Sequence, residues 1–264
     1  MNETVKNTHS KWEQVRIGGV EVDGISLTLL MQRLDEMVES GGPHYVCFCD
    51  AHLCGRATQE PTICDILGKA SLVLPDGVSM TLGPRLMGHE LPGRLPGPLV
   101  MIEYCKYGVS KGRKHFFYGG DNSVPERLSQ SLKEKIPGLN VVGTFSPPFR
   151  PLTDVEMDNV KRMIEESGAD VLWVGLGAPK QEQWMAEHLG KIRIPLMLGV
   201  GAAFDFHSGN RKWAPLWIRK IGMEWIYRML TGGKRVFLRN VKSDMLIVWI
   251  VLKQAISRLL FNRQ

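Results

Sequence analysis

A chain of 264 residues with 44% hydrophobic and 23% charged content has enough apolar residues to bury one substantial α/β core, which excludes a disordered polymer. Its five cysteines (Cys47, Cys49, Cys54, Cys64, Cys105) are odd in number and lack zinc-knuckle spacing, which argues against a disulfide framework and for reduced core thiols. The net charge of +6 is unevenly spread: residues 211–264 carry 12 Lys and Arg against Glu224 and Asp244, while the preceding 210 residues sum to −4.

Met1 to Trp12 is polar and has no apolar run of the kind a secretory leader needs, as expected of a cytosolic protein. Strand signals then fall at His44–Cys49, Ser71–Leu74, His115–Tyr118, Asn140–Gly143, Asp170–Val174 and Pro195–Leu198. Helix signals fall at Val78–Met87, Leu99–Ser110, Val124–Lys135, Asp154–Ser167 and Lys180–His188. Strand-then-helix alternation at this spacing predicts an α/β fold with a largely parallel sheet covered by helices. Pro147, Pro148 and Pro151 mark a loop before Thr153, a helix N-cap with Glu156 at the capping-box position.

The stretch from Val171 to Gln183 is the most informative. An apolar run ends in Gly175 and Gly177, then Pro179 opens an amphipathic segment with Trp184, Met185 and Leu189. This order predicts a buried strand, a tight turn and a helix with proline at its start. Lys180 and Gln181 then sit at a helix N-terminus, where free N–H groups and the helix dipole favour an anion such as a phosphate. A plain strand–helix connection with a solvated lysine would carry the same residues.

Ligands of open α/β sheets collect at the carboxyl ends of the strands. Five segments are expected there: Asp50 to His52, Pro75 to Gly77, Gly119 to Asn122, Gly177 to Glu182 and Gly199 to Phe206. Asp76, in a Pro-Asp-Gly turn, is the candidate general base. Asp50 and His52 either orient a sugar hydroxyl or tune Asp76, or else cap a helix. His207 is expected to pack or cap. No Asp-x-Asp pair occurs, so a metal bridge to a diphosphate has no evident ligands, and no cofactor is expected.

In the tail, Trp213 to Leu230 and Lys234 to Phe261 read as helices separated by Thr231-Gly232-Gly233. Met245 to Leu252 is a run of only eight apolar residues, against the about 20 that span a bilayer. An acidic body with a basic tail points to a polyanionic partner. Tryptophans, apolar stripes and basic residues together fit an amphipathic element lying on an anionic membrane surface, and the hydrophobicity argues against nucleic acid. Packing onto the body or onto a second copy in a homo-oligomer would use the same stripes. The expected division is a catalytic domain over 1–210 and a membrane-associating appendage over 211–264, removable with the body still folded.

Gly177-Ala178-Pro179-Lys180-Gln181-Glu182 resembles the hallmark of the WecG/TagA/CpsF glycosyltransferase family. Leu74 to Gly77, Arg94 to Gly97, Gly119-Gly120, Ser146 to Phe149, Gly201 to Phe206 and Trp217 to Arg228 are similar to further family segments, in the family's order. The resemblance implies a Rossmann-like bacterial transferase, inverting and metal-independent. It would move a hexose or N-acetylhexosamine-type sugar from a UDP-sugar to an undecaprenyl-diphosphate-linked sugar at the inner face of the cell membrane, for cell-surface polysaccharide. It implies Asp76 as catalytic base, Arg94 and Gln181 at the donor or its diphosphate, and Asp205 at the nucleotide. Arg219, Arg228 and Arg235 correspond to a basic appendage meeting the lipid diphosphate. Two positions depart: Phe48 stands where many members have threonine, and Leu99 where an aspartate follows the arginine motif. These departures keep a non-catalytic nucleotide-sugar-binding scaffold as the alternative.

Overall fold

A computed structural model of the protein describes residues 12–220, 224, 227, 245–254 and 256. The chain opens with β1 (Glu13–Ile17) and β2 (Val20–Gly24), then α1 (Leu27–Glu39), β3 (His44–Cys49), α2 (Ala51–Gln59), α3 (Pro61–Lys69), β4 (Leu72–Pro75) and α4 (Ser79–Leu86). It continues through α5 (Gly97–Val109), β5 (Lys114–Gly119), α6 (Val124–Lys135), β6 (Asn140–Phe145), α7 (Asp154–Glu166) and β7 (Val171–Gly175). The last labelled elements are α8 (Lys180–His188), β8 (Leu196–Gly199), α9 (Ala203–His207) and α10 (Leu216–Lys220). Residues 245–254 are also helical.

Strands β3 to β8 form one sheet in the order β4-β3-β8-β7-β5-β6, while β1 and β2 pair as an antiparallel hairpin. The β3–β8, β8–β7, β7–β5 and β5–β6 pairs are parallel. The fold is thus α/β and Rossmann-like, as expected. Every strand and helix signal of the body is matched by an element whose ends lie within two residues of the expected ones. The hairpin, α1, α2, α3 and α9 had not been anticipated. Thr153 caps α7 with Glu156 in a capping box, as the sequence indicates. All five cysteines are free thiols, four of them buried.

Two compact units make up the chain. The first comprises Met1–Ser26, Phe48–Pro96 and Ala214–Gln264. Its hairpin forms because Val15, Ile17, Val20 and Val22 alternate inward across the Gly18-Gly19 turn, and all four are buried. Buried Asp23 fastens the hairpin to β4: it accepts the N–H of Val73 at 2.7 Å, Nε1 of Trp12 at 2.9 Å and Nε2 of Gln14 at 2.7 Å. Such convergence satisfies a carboxylate that burial would otherwise penalise.

Of the two readings of the tail, residues 245–254 follow the one in which apolar stripes pack onto the body. Ile247, Ile250 and Val251 are buried. Val251 lies so close to α4 that a Cβ at Gly83 would come within 2.8 Å of its Cγ2, and Leu246 stands likewise 3.1 Å from a Cβ at Gly55 of α2. Gly18 donates its N–H to Oε1 of Gln254 at 3.2 Å. One face of residues 245–254 is therefore core to the first unit. The remaining parts of the two expected tail helices lie largely outside the described residues.

The second unit comprises Leu27–Cys47 and Gly97–Trp213. Residues Val171 to Val174 of β7 are fully buried, as a continuous apolar run in a parallel sheet should be. Beside them, Nε1 of Trp173 donates to Nδ1 of His115 at 3.1 Å. Asp35 of α1 is buried and held by Arg113 and Lys111.

Candidate active site

In the first unit, all four residues of β4 are buried and deliver Asp76 to the carboxyl end of the strand. Two backbone bonds fix that turn: Asp76 donates to the carbonyl of Cys49 at 3.0 Å, and Leu95 donates to the carbonyl of Pro75 at 2.7 Å. The first places Asp76 beside Asp50, and the second tethers the Arg94 segment at the same strand end. Asp50 is the N-cap of α2, accepting the N–H of Leu53 at 2.9 Å. The capping reading left open by the sequence is thus the observed one for this carboxylate. His52 occupies the first turn of α2 and, like Asp50, Asp76 and Arg94, is half-buried. Three of the sequence candidates are thus neighbours at one strand end: the capping carboxylate Asp50, the carboxylate Asp76 and the basic Arg94.

In the second unit, the ends of β5, β7 and β8 converge through glycines. Gly119 has φ +124° and a Cβ there would lie 2.6 Å from the carbonyl carbon and oxygen of Gly175, backbone that has no room to move. Gly120 donates to the carbonyl of Gly175 at 3.0 Å, and Ser146 Oγ donates to the carbonyl of Gly120 at 2.9 Å. Ser146 lies in one of the family-like segments, and its hydroxyl bond to Gly120 has no signal in the local sequence.

Lys180 is exposed at the first position of α8, where its ammonium is available to an anion. Gln181 is different. Its side chain is buried, with Oε1 accepting the N–H of Gly177 at 3.1 Å and Nε2 donating to the carbonyl of Gly199 at 2.6 Å and to Oε1 of Glu182 at 2.8 Å. Both amide hydrogens are engaged, so Gln181 ties the β7 turn to the end of β8. Glu182, buried beside it, was not singled out in the sequence. Asp205 of α9 is half-buried and accepts Nδ2 of Asn210 at 2.7 Å. His207 packs, with Nε2 at 2.8 Å from the carbonyl of Pro98 and its ring edge-on to Trp213. Of the two departures, Phe48 is buried in β3 and Leu99 is half-buried in α5.

A family model, Glycosyl transferase WecG/TagA/CpsF family, matches residues 15–260. The chain belongs to that family.

As a WecG/TagA/CpsF member it is a glycosyltransferase. It is similar to the N-acetylglucosaminyldiphosphoundecaprenol N-acetyl-beta-D-mannosaminyltransferase of Staphylococcus aureus strain MRSA252, at 27% identity over 86% of this chain and 88% of the relative. The protein of the same name from strain NCTC 8325 / PS 47 is 26% identical over the same shares. The family hallmark at Gly177 to Glu182 now has a physical content: a turn fastened by Gln181, with Lys180 facing solvent. Among the described residues, no group of three or more His, Cys, Asp or Glu side chains is placed to hold a metal ion, and no helix is long and apolar enough to cross a membrane. Arg219 lies in α10, but its side chain, and all of Arg228 and Arg235, fall outside the described residues.

Proposed function

We propose that this glycosyltransferase moves a hexose or N-acetylhexosamine-type sugar from a UDP-sugar to an undecaprenyl-diphosphate-linked sugar, for bacterial cell-surface polysaccharide. The names of the S. aureus relatives support the lipid-diphosphate acceptor and an N-acetylhexosamine as the sugar transferred. The observation that carries the reading is the fastening of Asp76 next to Asp50 and the Arg94 segment by two backbone hydrogen bonds.

In this mechanism the Asp76 carboxylate accepts the proton of the acceptor hydroxyl. The hydroxyl oxygen forms its bond to the anomeric carbon as the bond from that carbon to the UDP oxygen breaks, inverting the centre. Negative charge passes to the departing diphosphate, which Arg94, Lys180 and strand-end N–H groups stabilise. Gly119 and Gly120 admit the nucleotide close to the backbone, and Asp205 contacts it. Gln181 acts by holding its turn. Arg219, Arg228 and Arg235 meet the lipid diphosphate at the inner face of the membrane. The chemistry needs no metal, consistent with a sequence lacking Asp-x-Asp.

The test is a screen of UDP-hexoses and UDP-N-acetylhexosamines with a short-chain polyprenyl-diphosphate-sugar acceptor, run with and without EDTA. UDP release with one donor, dependent on acceptor and indifferent to EDTA, is the expected result. No release from any donor would overturn the reading.

A further inference from the structure

Two helices of the first unit turn large apolar side chains to solvent. In α4, Met80, Gly83 and Pro84 are buried, whereas Leu82 and Leu86 are 52% and 63% exposed. They stand four residues apart, hence on one face of the helix. In the stretch 245–254, Ile247, Ile250 and Val251 are buried while Met245, Val248, Trp249 and Leu252 are exposed. The helices touch at Gly83 and Val251, so the two apolar faces belong to neighbouring elements.

Resting on the transferase reading above, we propose that α4 is a second lipid-contacting element: with residues 245–254 it docks the first unit on an anionic bilayer. Isolated exposed leucines are ordinary, but an exposed apolar set carried on two helices in contact marks an interaction surface. Charge selects its occupant. The segment from Arg211 onward carries 12 Lys and Arg against two acidic residues, a complement to anionic lipid and a source of repulsion towards a second copy. Lys253 Nζ lies 5.2 Å from the centre of the Trp249 ring, the pairing of aromatic and cation that suits the headgroup level. α4 begins three residues after Asp76, so its depth in the lipid fixes the height of the proposed base over a lipid-borne acceptor.

The full chain and its Leu82→Gln/Leu86→Gln variant would be sedimented with phosphatidylglycerol/phosphatidylcholine vesicles. UDP release would be followed with a vesicle-borne acceptor and with a water-soluble short-chain one. The variant is expected to bind vesicles at least about tenfold more weakly. It should lose turnover with the vesicle-borne acceptor alone and melt like the wild type. Unchanged vesicle binding, or a wild type that does not bind vesicles, would overturn the proposal. So would loss of self-association with vesicle binding intact, which would assign the face to a second copy. A wild type that binds vesicles through these leucines yet releases no UDP upholds the docking face and overturns the transferase reading.

Discussion

The backbone N–H of Leu95 donates to the carbonyl of Pro75 at 2.7 Å, so Arg94 and Asp76 are each one residue from a shared hydrogen bond. A cation and a carboxylate held by backbone keep their spacing without relying on flexible side chains, which is what catalytic positioning demands. Replacing Asp76 by Asn preserves shape but exchanges one acceptor oxygen for an N–H donor and removes the proton acceptor. Turnover should fall by about 10²- to 10⁴-fold, with UDP affinity near the wild-type value. Rates of UDP release and calorimetric titration with UDP measure the two quantities. An Asp76→Asn enzyme with wild-type turnover would release Asp76 from its role.

Gln181 makes a different prediction. Truncation to Ala removes the partner of the half-buried Gly177 N–H and one donor to the buried Gly199 carbonyl. Losing these bonds should cost about 1–3 kcal/mol in denaturant unfolding. Donor affinity should fall with it, because the turn bearing Lys180 loses its tie to β8. If Gln181→Ala unfolds like the wild type while only turnover drops, the amide acts on substrate instead.

The contrast between these two residues shows what local sequence can carry. His44–Cys49, Val124–Lys135 and Lys180–His188 were legible to the residue, because apolar runs and proline starts are local signals. So was the Asp76 turn, framed by Pro75 and Gly77. The direction of Gln181 was not, since its partner Gly199 comes 18 residues later and only the β7–β8 pairing brings it near. The tail left two readings open for a related reason. Its apolar run contains a buried and an exposed face, and α4 and the hairpin decide which is which. The β1–β2 hairpin is the exception: Val15, Ile17, Val20 and Val22 alternate around Gly-Gly, a local signal of a hairpin.

His115 should make stability depend on pH. Burial pushes its pKa down to about 4, and its Nδ1 accepts from Trp173, which requires the neutral ring with the proton on Nε2. In the unfolded chain the same ring takes up a proton near pH 6.5. Its contribution is therefore complete above that value and is lost as pH falls from there towards 4. Lowering pH from about 7.5 to 5.5 should remove about 1 kcal/mol through this residue. His44 and His188 are lowered too, by burial first, so the comparison needs a variant. His115→Gln should flatten the dependence seen in urea unfolding at the two pH values; an unaltered slope would clear His115 of it.

The two faces of residues 245–254 should respond in opposite ways. Ile250 is buried against the hairpin turn, its Cγ2 3.6 Å from where a Gly18 Cβ would stand. Ile250→Ala deletes buried methyl and methylene groups and should cost about 2–4 kcal/mol of stability, while vesicle binding per folded molecule stays the same. Trp249, on the solvent side, is 59% exposed. Trp249→Gln should move stability by no more than about 0.5 kcal/mol and weaken vesicle binding, since an interfacial ring is exchanged for a polar chain. Denaturant unfolding and vesicle sedimentation on both variants separate the effects. If Ile250→Ala unfolds at the wild-type midpoint, residues 245–254 are a detachable appendage after all, and the first unit closes its core without them.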